Sequence, residues 1–227
     1  MPDSPPTPSP SPTNDIAAMR RSYDAAPLLE VDVDPDPFTQ FMAWFAEAKA
    51  KDSGEANAMT LATADADGNP SARIVLMKGF SEAGLVFYTH RTSHKGTDLT
   101  ANPRAQVLFY WPVLFRQVRI AGQVTELPAD HVKAYAQSRP RDSQLSAWAS
   151  DQSHVIPDRD ALTAGFADAE ARFADQDKLP VPPSWTGYLL TPASFEFWQG
   201  QPNRMHDRLR YRPADSDDGW LVERLAP

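Results

Sequence analysis

Between Gln117 and Thr125 the chain alternates, with Val118, Ile120, Gly122 and Val124 set against Gln117, Arg119, Gln123 and Thr125. A period of two gives a strand with one apolar and one polar face, Gln117 lying on the polar side. Such a strand cannot bury its apolar face alone, so the rest of the chain must supply a sheet. Residues 58–64 and 71–80 are strand-like and flank Asp65-Ala-Asp-Gly-Asn-Pro, a hairpin-type connection whose glycine supplies a positive φ. Residues 85–89 and 105–111 are short apolar runs rich in aromatics and valine, and strands return from Trp185 onward, with a turn at 215–219. Helical spacing is confined to a few segments. Residues 35–49 carry Asp36 as cap, Pro37 in the first turn, and Phe38, Phe41, Met42 and Phe45 on one face. Residues 129–138 and 158–174 read as two more helices, the second with Leu162, Phe166, Ala169 and Phe173 on one face. Residues 16–23 could form a short helix carrying two arginines and a tyrosine. Six or so strands with helices at the edges predict a small β-barrel of the α+β class.

A chain of 227 residues is long enough for one substantial core. Residues 1–14 are almost all Pro, Ser, Thr and Asp, a composition expected to stay disordered, which leaves 15–227 as a single domain. The net charge of −8 argues against a broad grip on nucleic acid or an anionic membrane, so any bound anion needs a local basic pocket. The absence of cysteine removes disulfides, thiolate catalysis and the usual zinc sites, and no metal site is expected. No apolar run approaches the roughly 20 residues that span a bilayer, and no basic-then-apolar signal pattern opens the chain. The expectation is a cytoplasmic protein. There is neither a Gly-x-Gly-x-x-Gly nor a Gly-Lys-Ser/Thr loop, so side chains must hold any phosphate.

Four groups of basic residues stand out. Arg73-Ile-Val-Leu-Met-Lys78 reads as a buried strand with a cation at each end; solvated strand ends explain it equally well. Tyr88-Thr89 is followed by Ser93-His94-Lys95, which by itself is an ordinary polar loop. Tyr135, Arg139 and Ser143 recur at intervals of four, with Pro140 breaking one helix and starting another that has Ser143 near its N-terminus. Such a set suits a phosphate dianion, although helix capping by arginine is as good an account. Last, Phe195-Glu-Phe-Trp198-Gln leads into Arg204, His206 and Arg208, which alternate and, if extended, face one way. Three such residues on one face call for an anion. Gln152-Ser153 reads as a plain loop.

These segments resemble the pyridoxine/pyridoxamine 5′-phosphate oxidases from about Arg20 to Pro227. The most specific part is Phe195-Glu-Phe-Trp-Gln followed after four residues by Arg204-Met-His-Asp-Arg208, supported by Val86-Phe-Tyr-Thr89, Arg116-Gln-Val118, Ser138-Arg-Pro-Arg-Asp-Ser143, Trp148-Ala-Ser-Asp-Gln-Ser153 and Glu223-Arg-Leu-Ala-Pro227. The resemblance implies an FMN-binding split barrel and a homodimer with composite sites at the subunit interface. It implies FMN contacts from Arg73, Ile74, Val75, Leu76, Met77, Lys78, Tyr88, Thr89, His94, Lys95, Gln117, Gln152, Ser153, Trp198 and Arg208. Lys78, Tyr135, Arg139 and Ser143 would hold a substrate phosphate. Arg204, Met205 and His206 would meet the pyridine ring, with Arg204 and His206 in catalytic roles, and Arg20, Arg21, Ser22 and Tyr23 would form a lid. The implied reaction is oxidation of pyridoxamine or pyridoxine 5′-phosphate by O2 to pyridoxal 5′-phosphate and H2O2, with ammonia from the amine. Two alternatives remain at this point, a related split-barrel flavin oxidase of phenazine type and a non-catalytic flavin- or pyridoxal-phosphate-binding protein. A complete Tyr135, Arg139 and Ser143 set favours the oxidase over the first; the presence of Arg204 and His206 favours it over the second. One departure is His94, where the family commonly has arginine, so a permanent charge near the FMN phosphate becomes a titratable one.

Overall fold

The computed structural model describes residues 16, 18, 19, 21–51, 54–214 and 219–227, and the expected disordered tail at 1–14 and Arg20 lie outside them. Among the described residues nine strands form one antiparallel sheet: β1 (Ala58–Ala64), β2 (Pro70–Leu76), β3 (Gly79–Ser81), β4 (Gly84–His90), β5 (Arg104–Trp111), β6 (Arg116–Glu126), β7 (Trp185–Gln199), β8 (Asp207–Pro213) and β9 (Trp220–Arg224). The order is β2-β1-β5-β6-β7-β4-β3, with β8 on β7 and β9 on β8. The sheet curls into a half-barrel because β7, 15 residues long, changes partner along one edge. Trp185 to Leu190 pair with β4, and Phe195 to Gln199 pair with β8. Between them the β6–β7 register shifts at Ala121/Gly122, and Gly122 is required there, since a Cβ would stand 2.0 Å from the Thr191 carbonyl oxygen.

Helix α1 (Pro37–Lys51) fills the curl. Asp36 caps it, its carboxylate accepting from the N–H groups of Phe38 and Thr39 at 3.2 and 3.0 Å. Phe41 and Trp44 are buried, Phe41 lying 4.4 Å from Phe80 and 5.1 Å from Phe109 between ring centroids, and Trp44 5.2 Å from Phe197. Four further helices are α2 (His94–Ala101), α3 (Ala129–Ser138), α4 (Arg141–Ala149) and α5 (Arg159–Arg172). The alternating strand, the capped first helix and the span of α3 agree with the sequence reading. Three expectations need correction. The single run 71–80 is two strands, because the Met77 N–H donates to Asn57 O while the next, Lys78 N–H, donates to Val86 O, so the chain crosses from one partner to another. The stretch 73–78 is not buried as a whole: β2 is an edge strand and Ile74 is 65% exposed. The helix expected over 16–23 does not extend to Arg21–Tyr23, which have no regular structure.

Candidate active site

Strands β2 and β4 and helices α2, α3 and α4 surround a cavity of about 650 Å³. Its lining holds Arg73, Lys78, Lys95 and Arg139 and not one carboxylate. Lys95, in the first turn of α2, is buried, and its ammonium donates to Gln152 Oε1 at 2.8 Å and to Thr89 Oγ1 at 3.2 Å, both uncharged. Burial, and then the nearby Arg73, push its pKa down from the ordinary lysine value. Arg73 is held from behind: its guanidinium donates to Thr63 Oγ1 at 2.7 Å, to the Leu61 and Ser71 carbonyls and to Ser71 Oγ. Thr63 in turn donates at 2.6 Å to the buried Asp98, whose carboxylate lies 3.8 Å from Arg73. Burial lowers the Arg73 and Arg139 pKa values as well. Cations kept in a half-buried pocket with few counter-charges have a standing electrostatic demand for an anion.

The third wall explains the spacing of Tyr135, Arg139 and Ser143. Helix α3 ends at Ser138, Arg139 is its C-cap, and Pro140 opens α4 with Ser143 in its first turn, so all three reach the cavity across one corner. Tyr135 stacks on Tyr88 at 3.9 Å, and burial raises the pKa of both phenols. The sequence reading missed His90, Ser146, Ser150 and above all Trp185 in this lining; Gln152, read as a plain loop residue, accepts hydrogen bonds from both Lys95 and Thr89. The sequence marked Trp185 only as the start of a strand, with no sign of a site.

The remaining sequence candidates lie elsewhere in the chain. Gln117, Trp198 and Arg208 are partners in one row across β6, β7 and β8. Beside that row a second recess, about 570 Å³, is lined by Arg21, Ser22, Tyr23, Arg204 and His206 among others. Tyr23 packs on Phe115, His206 and Trp198 at 5.0, 5.6 and 5.9 Å, and the Trp198 and His206 rings are 4.8 Å apart. His206 Nδ1 accepts the Gln201 N–H at 3.0 Å, which leaves Nε2 as the proton-bearing nitrogen of the neutral ring. The expected alternation of Arg204, His206 and Arg208 is not what forms. Residues Pro202–Arg204 make a 3₁₀ turn with Asn203 and Arg204 at φ 56° and 62°, and β8 begins only at Asp207. Nor does Arg208 wait for an anion, for its Nε donates to Glu196 at 2.9 Å. Met77 is buried in the core, Met205 and Ser153 are exposed, and His94 turns to Ser71 Oγ at 3.2 Å outside the lining.

The comparisons with known proteins concern both halves. Residues 46–173 match the family model described as pyridoxamine 5′-phosphate oxidase. The chain belongs to the pyridoxamine 5′-phosphate oxidase family. Residues 185–227 match a second model, the C-terminal dimerisation region of pyridoxine 5′-phosphate oxidase, so Trp198, Arg204, His206 and Arg208 fall within a dimerisation segment, while Gln117 and Arg21–Tyr23 lie outside it. Among family members, a pyridoxine/pyridoxamine 5′-phosphate oxidase of Bordetella avium is 53% identical over 93% of this chain and 99% of its own, and one of Salinibacter ruber is 50% identical with the same coverage. Among solved structures, PhzG of Burkholderia lata in complex with tetrahydrophenazine-1-carboxylic acid superposes with a TM-score of 0.81 at 33% identity, covering 89% of this chain and 99% of its own.

Proposed function

We propose that this family member is an FMN-dependent oxidase that converts pyridoxamine and pyridoxine 5′-phosphates to pyridoxal 5′-phosphate. The observation that carries the reading is the lining of the larger cavity, four cations without a carboxylate, next to a complete Tyr135, Arg139 and Ser143 set. One anionic group is not enough for so extended a basic wall. Arg73 and Lys95 at one end suit the FMN phosphate, with Thr89 and Gln152 beside them, and Lys78, Tyr135, Arg139 and Ser143 suit the phosphate of the substrate. The backbone of Ile74 to Met77 and the exposed Ile74 side chain then lie along the flavin. FMN, when bound, supplies the two-electron chemistry at the substrate C4′ carbon and is restored by O2, which leaves as H2O2.

The chain's own part is to hold and orient. Phosphate anchoring fixes the substrate at one end, and hydrogen-bonding groups left unpaired would penalise the unphosphorylated vitamers. Arg204 and His206 are the groups to position the pyridine ring, Arg204 as the cation near the C4′ substituent and His206 through its Nε2 proton. Within one chain they line a recess separate from the cavity, so the reading includes a homodimer in which the Gln117, Trp198 and Arg208 row, with Arg204, Met205, His206 and the Arg21–Tyr23 segment, completes the partner's cavity. Ser153 and His94 belong at its rim. Among the described residues no helix is long and apolar enough to cross a membrane, and we read the enzyme as cytoplasmic.

A phenazine-type activity is the second reading, prompted by the PhzG likeness. It is disfavoured because the phosphate set is complete and because two relatives named pyridoxine/pyridoxamine 5′-phosphate oxidase are 53% and 50% identical. Aerobic incubation with FMN and pyridoxamine 5′-phosphate, with unphosphorylated pyridoxamine as control, tests the choice. Phosphate-dependent aldehyde and peroxide are expected; a yellow protein making neither refutes the assignment.

A further inference from the structure

Trp185 is the largest of the lining residues that carry no motif of their own. It opens β7, is 7% exposed, and lines the cavity. Three rings gather there within 16° of parallel. Tyr88 is nearest to both others, 3.9 Å from Tyr135 and 5.2 Å from Trp185, and Tyr135 and Trp185 are 6.1 Å apart. The Arg139 guanidinium carbon lies 5.1 Å from the Trp185 centroid. Arg139 is thus held by a π-face rather than by a carboxylate, an arrangement that fixes the cation while leaving its charge available. A carboxylate in that place would orient the guanidinium equally well but would neutralise it towards an incoming phosphate.

We propose that Trp185 is the positioning residue for the substrate-phosphate site, setting Tyr135 through the ring cluster and Arg139 through its π-face, and so determines the preference for phosphorylated over unphosphorylated substrates. The proposal rests on the reading of Tyr135 and Arg139 as phosphate ligands, and it adds a residue that does not touch the phosphate. Trp185 also packs with Val132, Ala136 and Ala147, which joins α3 and α4 to the start of β7. The corner that presents Tyr135, Arg139 and Ser143 is therefore seated on this one side chain.

The test uses the FMN-loaded dimer of Trp185→Leu and Trp185→Phe beside Arg139→Gln, with steady-state kinetics on pyridoxamine 5′-phosphate and on pyridoxamine. Trp185→Leu is expected to raise KM for the phosphorylated amine about tenfold, the scale of one charge-assisted contact, with kcat changed less than about twofold and kcat/KM for pyridoxamine unaltered. Trp185→Phe, which keeps a ring, should stay within about threefold of the natural KM. An unchanged KM in Trp185→Leu, or equal losses on both substrates, overturns the proposal. Should the leucine variant fail to fold, Trp185→Met fills the space without a ring and is read in the same way. Arg139→Gln separates the two failures. If it does not raise KM selectively for the phosphorylated amine, the phosphate-site reading is at fault; if it does and the Trp185 variants do not, the positioning role alone is refuted.

Discussion

The cavity and the β7–β8–β9 segment both carry several basic side chains, lysine and arginine in the first and arginine alone in the second, yet they treat their charges in opposite ways. In the C-terminal segment nearly every cation is matched. Arg208 and Arg119 share Glu196, Arg210 and Arg212 share Glu223, and Arg224 bridges Glu30 and Asp207 at 2.8 and 2.6 Å. The hydrogen bond from Arg224 holds the exposed Glu30 down at about 2. In the cavity Lys95 is buried, Arg73 and Arg139 are half-buried and Lys78 is exposed, and pairing is sparser, Lys95 resting on neutral oxygens and Arg139 on an indole. Burial of an unmatched charge costs more than burial of a matched one, so the unmatched group persists where a ligand supplies the anion. Charge pairing, rather than charge density, separates the binding wall from the structural ladder.

The strongest way to break this contrast is Lys95→Met. If Lys95 is unmatched because it awaits the FMN phosphate, removing it should raise the FMN dissociation constant about 10- to 100-fold, from about 1.5–3 kcal/mol for one charge-assisted bond, and leave riboflavin binding nearly unchanged. Equal losses for the two ligands in a fluorescence titration would mean that Lys95 serves the fold. Next in size, Arg204→Gln should lower kcat/KM about tenfold with FMN affinity intact, because Arg204 is exposed and free of the ladder's ion pairs. A parallel loss of FMN would place it with the cofactor instead. In the ladder, Glu196→Gln removes the shared partner of Arg119 and Arg208. Its cost of about 1 kcal/mol should appear as a fall of about 2–4 °C in the melting temperature, with KM unaffected.

How much of this was visible before the structure depends on the range of the contacts. The period-two strand at β6, the Asp36 cap and the α3–Pro140–α4 corner are set within a few residues, and the sequence showed them. The break after Leu76 was hidden because it depends on which distant strand receives the Met77 and Lys78 N–H groups. Arg73, Lys78, Tyr88, Thr89, Lys95, Tyr135, Arg139 and Ser143 stood out by pattern or spacing, but only the family resemblance gave them a ligand. Spacing misled at Arg204 and His206, where two consecutive positive φ values replace the extended geometry that alternation assumes. Trp185 and Asp98 were missed for one reason: each acts through a neighbour, so neither bears a motif of its own.

The smallest expected effect separates the regions by pH. For Lys95 the folded pKa lies below the unfolded value near 10.5, since burial and Arg73 disfavour its charged form. Between those two values the unfolded chain binds more protons than the folded one, so this group makes the FMN-free protein more stable as pH rises. The exposed carboxylates of the ladder act at the other end. With Glu30 held at about 2 against an ordinary 4.5, its contribution is present above 4.5 and is lost as pH falls towards 2. Tyr88 and Tyr135, whose pKa values are raised, retain protons that the unfolded chain loses above about pH 10 and so work against Lys95 there. Melting curves of the FMN-free protein between pH 7.5 and 9.5 should therefore rise relative to those of Lys95→Met, by no more than about 2 °C. FMN should abolish the difference in slope, because a phosphate beside Lys95 restores the charged form. A slope that persists with FMN bound would mean that the ammonium and the phosphate do not meet, and the cavity's unmatched charge would then need another ligand.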